Sequence, residues 1–169
     1  MQHIAFYRTT IGLIGITDSD GVITEIFLAD EQVPGNDNKQ ETPLQKKAIR
    51  QLEEYLAGQR QTFDFAFTAA GTEFQKSVWE ALRKIPYGET RSYKQIAQMI
   101  GRPNAARAVG MANHRNPIMI VTPCHRVIAA DGSLAGYAGG LEVKKKLLEL
   151  EKQHLYAGAV APRQNVQLG

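Results

Sequence analysis

The chain reads as two joined units: an α/β N-terminal domain over residues 1–70, built from a strand meander plus a helix, and a mainly α C-terminal domain with a helix-turn-helix over 71–155. Residues 156–169 are expected to form a mobile tail. Three observations predict this order. Runs of β-branched and aromatic residues separated by turn residues fill the first thirty positions. Two capping boxes then open helices in close succession after residue 71. The charge also divides at residue 70, with six Lys/Arg against ten Asp/Glu before it and fourteen against seven after it, so the halves carry −4 and +7.

Taken in order, Ile4 to Arg8, Ile11 to Thr17 and Val22 to Leu28 are the expected strands, with Thr9-Thr10 and Asp18-Ser19-Asp20-Gly21 as turns. Glu31 to Glu41 is polar and contains Pro34-Gly35, an exposed loop. Thr42-Pro43-Leu44-Gln45 supplies an N-cap, a proline at the first helical position and a glutamine at the third. The helix should run to about Ala57, with Leu44, Ala48, Leu52, Tyr55 and Leu56 as its apolar stripe and Gly58 beyond its end. Phe63, Phe65 and Phe67 alternate and predict a last short strand. No residue pattern in this half suggests catalysis, which assigns it a scaffolding role.

In the second half, Thr72-Glu73-Phe74-Gln75 and Ser92-Tyr93-Lys94-Gln95 each place a glutamine three residues after a hydroxyl cap. The first helix is expected to reach about Lys84 and the second about Ile100. Gly101-Arg102-Pro103 breaks the second, and Asn104 is the expected cap of a third through about Asn113. Helix, Gly-containing turn, helix is the helix-turn-helix pattern. The small residues Ala105, Ala106, Ala108 and Gly110 allow a close approach, either to the preceding helix or to a groove of DNA, and Arg107 on a basic helix favours nucleic acid. Ile118 to Val121 reads as a strand leading to Pro123-Cys124-His125-Arg126-Val127. Gly136 to Gly140 is a glycine-rich loop, and a final helix spans about Leu141 to Glu151, packing through Leu141, Leu147, Leu148 and Leu150. Lys144-Lys145-Lys146 reads as a solvated face.

Cys124 is the only cysteine, so an internal disulfide and a Cys-rich zinc site are excluded and a reducing, cytoplasmic setting is expected. His3, His114, His125 and His154 show no metal-ligand spacing, and no metal or cofactor is expected. The start lacks a signal-peptide pattern and no apolar run is long enough for a membrane span. A lone thiol is commonly a small buried hydrophobe. Beside an imidazole and a guanidinium it is also a candidate nucleophile, because cationic neighbours favour the thiolate. Glu151, at the negative end of the last helix, opposes the macrodipole and is either solvated or held there for another purpose.

Arg107-Ala108-Val109-Gly110, Asn116-Pro117, the Pro123 to Val127 segment and Gly136-Tyr137-Ala138-Gly139-Gly140 stand in an order and spacing that resembles the 6-O-alkylguanine-DNA alkyltransferases, also called methylated-DNA-protein-cysteine methyltransferases. The resemblance is specific over 72–152 and loose over 1–70. It implies a ribonuclease-H-like N-terminal domain and a winged-helix-like C-terminal one. It implies a protein that binds double-stranded DNA as a monomer, without an obligate protein partner, flips out an alkylated guanine and moves the alkyl group once, irreversibly, to Cys124; 4-O-methylthymine is a further candidate substrate. His125 and Glu151 would form the relay behind the thiol, Tyr93 would neutralise the leaving base, and Asn116 would be a hinge. Arg107 would fill the vacated stack, its helix lying in the minor groove with Ala105, Ala106, Ala108 and Gly110, and Arg126 is added to the DNA contacts. Met119, Val127, Tyr137, Ala138 and Gly139 would line the base pocket. Ala138 stands where some relatives have serine and Met119 where some have proline, which bears on alkyl size.

Two other classes fit parts of the pattern. A winged-helix DNA-binding regulator would share the helix-turn-helix without transferase activity, and a cysteine hydrolase would use Cys124 and His125 with turnover.

Overall fold

The computed structural model describes residues 1–30, 40–134 and 140–156. Strands β1 (Gln2–Thr9), β2 (Gly12–Ser19) and β3 (Val22–Leu28) form an antiparallel sheet in the order β1-β2-β3. Tight turns set the register, pairing Thr9 with Gly12 and Ser19 with Val22, and a bulge falls at Thr17/Asp18. Helix α1 (Pro43–Leu56) crosses this sheet, and its capping box forms as the sequence predicts, with Gln45 and Thr42 bonding reciprocally. Ala48, Leu52 and Tyr55 are buried, as expected of the stripe, together with Ile49 and Gln51. The buried Gln45 amide donates to the His3 and Ile16 carbonyls, so the polar group is satisfied while it ties helix to sheet.

The outer edge of β3 is paired from two distant parts of the chain. Ile23 exchanges backbone bonds with Ala66 and Thr68, and Ile26 does so with Pro117 and Met119. The expected strand through Phe63, Phe65 and Phe67 is therefore a single bridge at Phe67. Phe63 instead stacks on Phe65 and Tyr55, so the aromatic alternation serves ring packing more than strand pairing.

Helices α2 (Glu73–Leu82) and α3 (Tyr93–Met99) start at the predicted caps Thr72 and Ser92. Between them lies β4 (Arg91–Ser92). Helix α4 (Ala106–His114) begins at Ala105 with no side-chain cap, so Asn104 does not cap it. The turn before it is closed by backbone alone, from the Ala105 amide to the Arg102 carbonyl. Trp79 on α2 donates its indole N–H to the Ala112 carbonyl at 2.8 Å and fixes α4. One apolar cluster joins the two halves, running from Ile14 and Leu52 through Leu82, Ile96 and Val109 to Ile118 and Leu147.

Ile118 to Val121 is not a strand. It is a tight turn in which Thr122 returns its N–H to the Ile118 carbonyl and Ile120 takes φ 73°. A β-branched residue in the left-handed region is costly, by about 1–3 kcal/mol. The Asn116 side chain holds the turn closed: its amide N–H group reaches the Thr122 carbonyl at 2.7 Å and its oxygen accepts the Ile118 N–H at 3.0 Å. Cys124–Arg126 then forms one 3-10 turn, β5 (Val127–Ile128) pairs in parallel with β4, and α5 (Leu141–Gln153) closes the chain.

Candidate active site

Cys124 is 3% exposed and opens the 3-10 turn, so the thiol sits at a turn and not at the end of a strand. Its backbone is fixed on both sides. The Cys124 N–H bonds the Thr122 carbonyl, and its carbonyl accepts from Val127 N–H and from the Asn113 side chain. Arg83 holds the Thr122 hydroxyl at 2.9 Å. Asn116 thus acts on the cysteine through the closed turn, which joins α4 to the 3-10 segment by backbone hydrogen bonds.

Behind the thiol lies a cluster in which every charged group is buried. His125 Nε2 is 2.6 Å from Glu151 Oε2, and the Glu151 side chain is 1% exposed. Arg126 grips the same carboxylate with Nε on Oε1 and Nη2 on Oε2, each at 2.9 Å. The Gly88 N–H adds a bond to Oε1 at 3.1 Å, and the Tyr55 hydroxyl donates to Oε2 at 2.5 Å. Burial would push the Glu151 carboxyl up, but the hydrogen bond from His125 and the bonds and charge from Arg126 outweigh it and hold the group well below the usual carboxylate range. That is the reason for a carboxylate at this end of α5. The fixed donors around it outweigh the unfavourable dipole.

Arg126, expected among the DNA contacts, turns into this cluster. Its guanidinium is buried, bonded to Glu151 and to the Ile85 carbonyl at 2.7 Å, and stacked over Tyr87 at 5.6 Å. Sequence adjacency to Cys124 says nothing about this, because the 3-10 turn sends the Arg126 side chain inward.

His125 is fully buried and its pKa is lowered, first by burial and further by Arg126 and Lys144, against the opposing pull of Glu151. The imidazole therefore rests neutral. Its Nε2 proton faces Glu151, and among the described residues Nδ1 has no hydrogen-bond partner, which leaves a lone pair able to take a proton. A stability consequence follows. The unfolded chain binds a proton on this histidine near pH 6.5 and the folded chain does not, so stability should begin to fall as the pH drops below about 6.5. Depressed Glu151 adds a further loss as the pH passes down through the carboxylate range. Thermal melts from pH 8 to 4 test this; His125→Gln should flatten the portion between about pH 6.5 and 5.

Lys144 was missed by the sequence reading, which placed it on a solvated face. It is 0% exposed and donates to the Val127 carbonyl at 2.6 Å. Burial lowers its pKa while the charge of Cys124 pulls it back up. The coupling is reciprocal, so an ammonium here favours a Cys124 thiolate. The signal was present in spacing: Lys144, Leu147 and Glu151 fall at i, i+3 and i+7, one stripe of α5, and these are its buried residues. Leu141, expected to pack, is 51% exposed. Tyr55 was missed as a site residue because it lies in the half assigned to scaffolding.

Tyr93 heads α3 half-buried, and its phenol pKa is raised by burial and then by the charge of Cys124, which keeps it a proton donor beside the thiol. Gly110 turns inward: a Cβ there would sit 3.7 Å from the Tyr93 ring, so α4 closes on Tyr93 at this point. Arg107 and Ala108 are exposed on the outer face of α4, with Met111 one turn on, while Ala105 and Ala106 are half-buried. Val127 and Met119 are buried, Met119 bridging to Thr122 and bonding β3. Tyr137, Ala138 and Gly139 lie outside the described residues, as does the tail beyond Tyr156. Among the described residues no group of His, Cys, Asp and Glu is arranged to hold a metal ion, and no helix is long and apolar enough to cross a membrane.

The buried cysteine thus stands on the same turn as a buried charged cluster, and beside it the helix-turn-helix exposes Arg107 and Ala108. Comparison with known proteins then shows the family. The 6-O-methylguanine DNA methyltransferase ribonuclease-like domain matches residues 3–69 and the DNA binding domain of the same proteins matches 73–153. The methylated-DNA–protein-cysteine methyltransferase of Mycobacterium leprae is 58% identical over 157 residues, 92% of this chain and 95% of that protein. The constitutive enzyme of Bacillus subtilis is 43% identical over 159 residues, 90% and 96% of the two chains. Among solved structures, Mycobacterium tuberculosis O6-methylguanine methyltransferase superposes with a TM-score of 0.81 at 42% identity, covering 97% of each chain. The structure of Mycobacterium tuberculosis OGT in complex with DNA gives 0.80 at 44% identity, covering 90% of this chain and 94% of that one. This chain belongs to the 6-O-methylguanine DNA methyltransferase family.

Proposed function

We propose that this protein repairs duplex DNA by taking the methyl group from the 6-oxygen of guanine onto Cys124, once per molecule. The observation that supports this reading most is the buried His125–Glu151–Arg126 cluster built on the turn that carries the only cysteine. The step is an in-line displacement: the Cys124 sulfur forms a bond to the methyl carbon, the carbon–oxygen bond breaks, and its electron pair leaves with the guanine. Neutral His125 accepts the thiol proton at Nδ1 through an intervening water, Glu151 stabilises the imidazolium that forms, and Lys144 offsets the thiolate charge. The Tyr93 phenol is placed to neutralise the leaving base, and the proton taken from sulfur balances the released guanine.

The protein binds DNA. Arg107 enters the stack vacated by a flipped base from the exposed face of α4, with Ala108 allowing a close approach in the minor groove. The protein acts as a monomer in a reducing, cytoplasmic compartment, and 4-O-methylthymine is a second substrate to be tested. Incubation with a methylguanine duplex should add one methyl mass to the chain, located on the peptide carrying Cys124; an unmodified chain after loss of the lesion would overturn the reading. Arg107→Ala should slow repair in duplex far more than transfer from the free modified base, which needs no extrusion costing a few kcal/mol. Equal slowing of both would remove Arg107 from flipping.

A further inference from the structure

Among the described residues, Tyr55 is the titratable side chain of the N-terminal sheet-and-helix unit that reaches the relay. It is 0% exposed, lies on α1, and is held by ring packing from both sides: Phe63 at 5.8 Å and Tyr87, edge-on, at 6.1 Å. Its hydroxyl is 2.5 Å from Glu151 Oε2 and 3.4 Å from His125 Nε2. The same Oε2 atom accepts from His125 and Arg126. A carboxylate oxygen accepts and cannot donate, so the phenol proton is spent on Glu151 and only the phenol lone pairs face His125.

We propose that Tyr55 is a positioning residue for methyl transfer, a proton donor supplied by the N-terminal domain that tempers the basicity of Glu151 and thereby keeps His125 neutral with its proton on Nε2. This deepens the reading of Cys124 as methyl acceptor and rests on it. The titratable groups facing His125 are Glu151 and Lys144 from α5, Arg126 from its own turn and the phenol of Tyr55. Of these only Tyr55 both touches the acceptor oxygen of the imidazole and comes from the other half of the chain. Without the hydroxyl, Oε2 would keep two donors in place of three. The carboxylate would then hold an imidazolium more strongly, and the histidine would take up a proton at higher pH. Burial also keeps the Tyr55 phenol protonated, since desolvation and then the Glu151 charge raise its pKa well above the ordinary value. The N-terminal half is thus more than a scaffold in this reading: α1 completes the hydrogen-bond shell of the relay.

The test is Tyr55→Phe, which keeps the ring packing and removes one oxygen. Nitrogen-15 spectra of labelled histidine, with His125 assigned by its loss in His125→Gln, report both tautomer and titration. The expected result is a neutral, Nε2-protonated His125 in the parent protein and an imidazole pKa raised by about one unit in Tyr55→Phe. Site-specific 3-fluorotyrosine at position 55, a more acidic phenol of nearly the same size, should shift the value the opposite way. This second variant also keeps the test open if Tyr55→Phe fails to fold. An unchanged His125 pKa in a folded variant, or shifts in the same direction for both, would overturn the proposal and leave Tyr55 a packing residue. The parent's mass change with methylated duplex is read separately, so failure of the methyl-acceptor reading is distinguishable from failure of this one.

Discussion

Cys124→Ser abolishes transfer to the level of the spontaneous reaction while binding to a methylguanine duplex survives: that is the result expected if the thiol is the acceptor. An alcohol is a far weaker nucleophile than a thiolate at neutral pH, and neither a neutral His125 nor Lys144 can ionise it appreciably. The change replaces one atom at a site whose backbone is bonded to the Thr122 carbonyl, the Val127 N–H and the Asn113 side chain, so the turn should persist. In the parent protein, repair of excess lesion should stop near one event per chain, because a methyl thioether has no route back to thiol here. Quench assays of lesion loss against active protein give the ratio. Sustained turnover, or loss of binding in proportion to activity in Cys124→Ser, would return Cys124 to the role of a buried hydrophobe.

Glu151→Gln should be the most destabilising single polar change in the molecule. The carboxylate accepts from His125, Arg126, Tyr55 and Gly88, and the amide that replaces it turns a donor toward donors. Arg126 is then left as a buried charge without its counterion, a loss of about 3–5 kcal/mol. Urea melts at neutral pH measure it, and transfer assayed at low temperature on the remaining folded protein should also slow, because His125 loses the acceptor that fixes its tautomer. Pairing the change with Arg126→Met should recover part of the stability, since removing both charges avoids the uncompensated one. A loss within about 1 kcal/mol for Glu151→Gln alone, the scale of an exposed ion pair, would mean that water reaches the cluster. Sequence placement alone could not have suggested this, since a glutamate in a last helical turn is ordinarily exposed.

Local chemistry was legible wherever it is decided within a few residues. The three capping boxes at Thr42, Thr72 and Ser92, the tight hairpin turns, and the order of motifs from Arg107 to Cys124 depend on near neighbours. The expectation failed at Phe63 to Phe67 and at Ile118 to Val121, where apolar alternation looked like strands. There the hydrogen-bonding partners come from β3 and from the Asn116 side chain, and these decide whether an extended run becomes a ladder, a single bridge or a closed turn.

By itself the sequence determined which thiol is the candidate nucleophile, since it contains one cysteine, along with the helix-turn-helix and the basic character of the half that carries both. Only the tertiary structure decided what surrounds the thiol. Arg126, next in sequence to the relay histidine, became the buried counterion of Glu151; Lys144 left an apparent lysine face for the interior; and Tyr55 arrived from ninety-six residues before Glu151 to donate to it. The physical reason is that a buried charge is tolerable only where several donors or acceptors converge on it. Convergence of residues 55, 88, 125 and 126 on the Glu151 carboxylate is a property of packing, which no window along the chain contains.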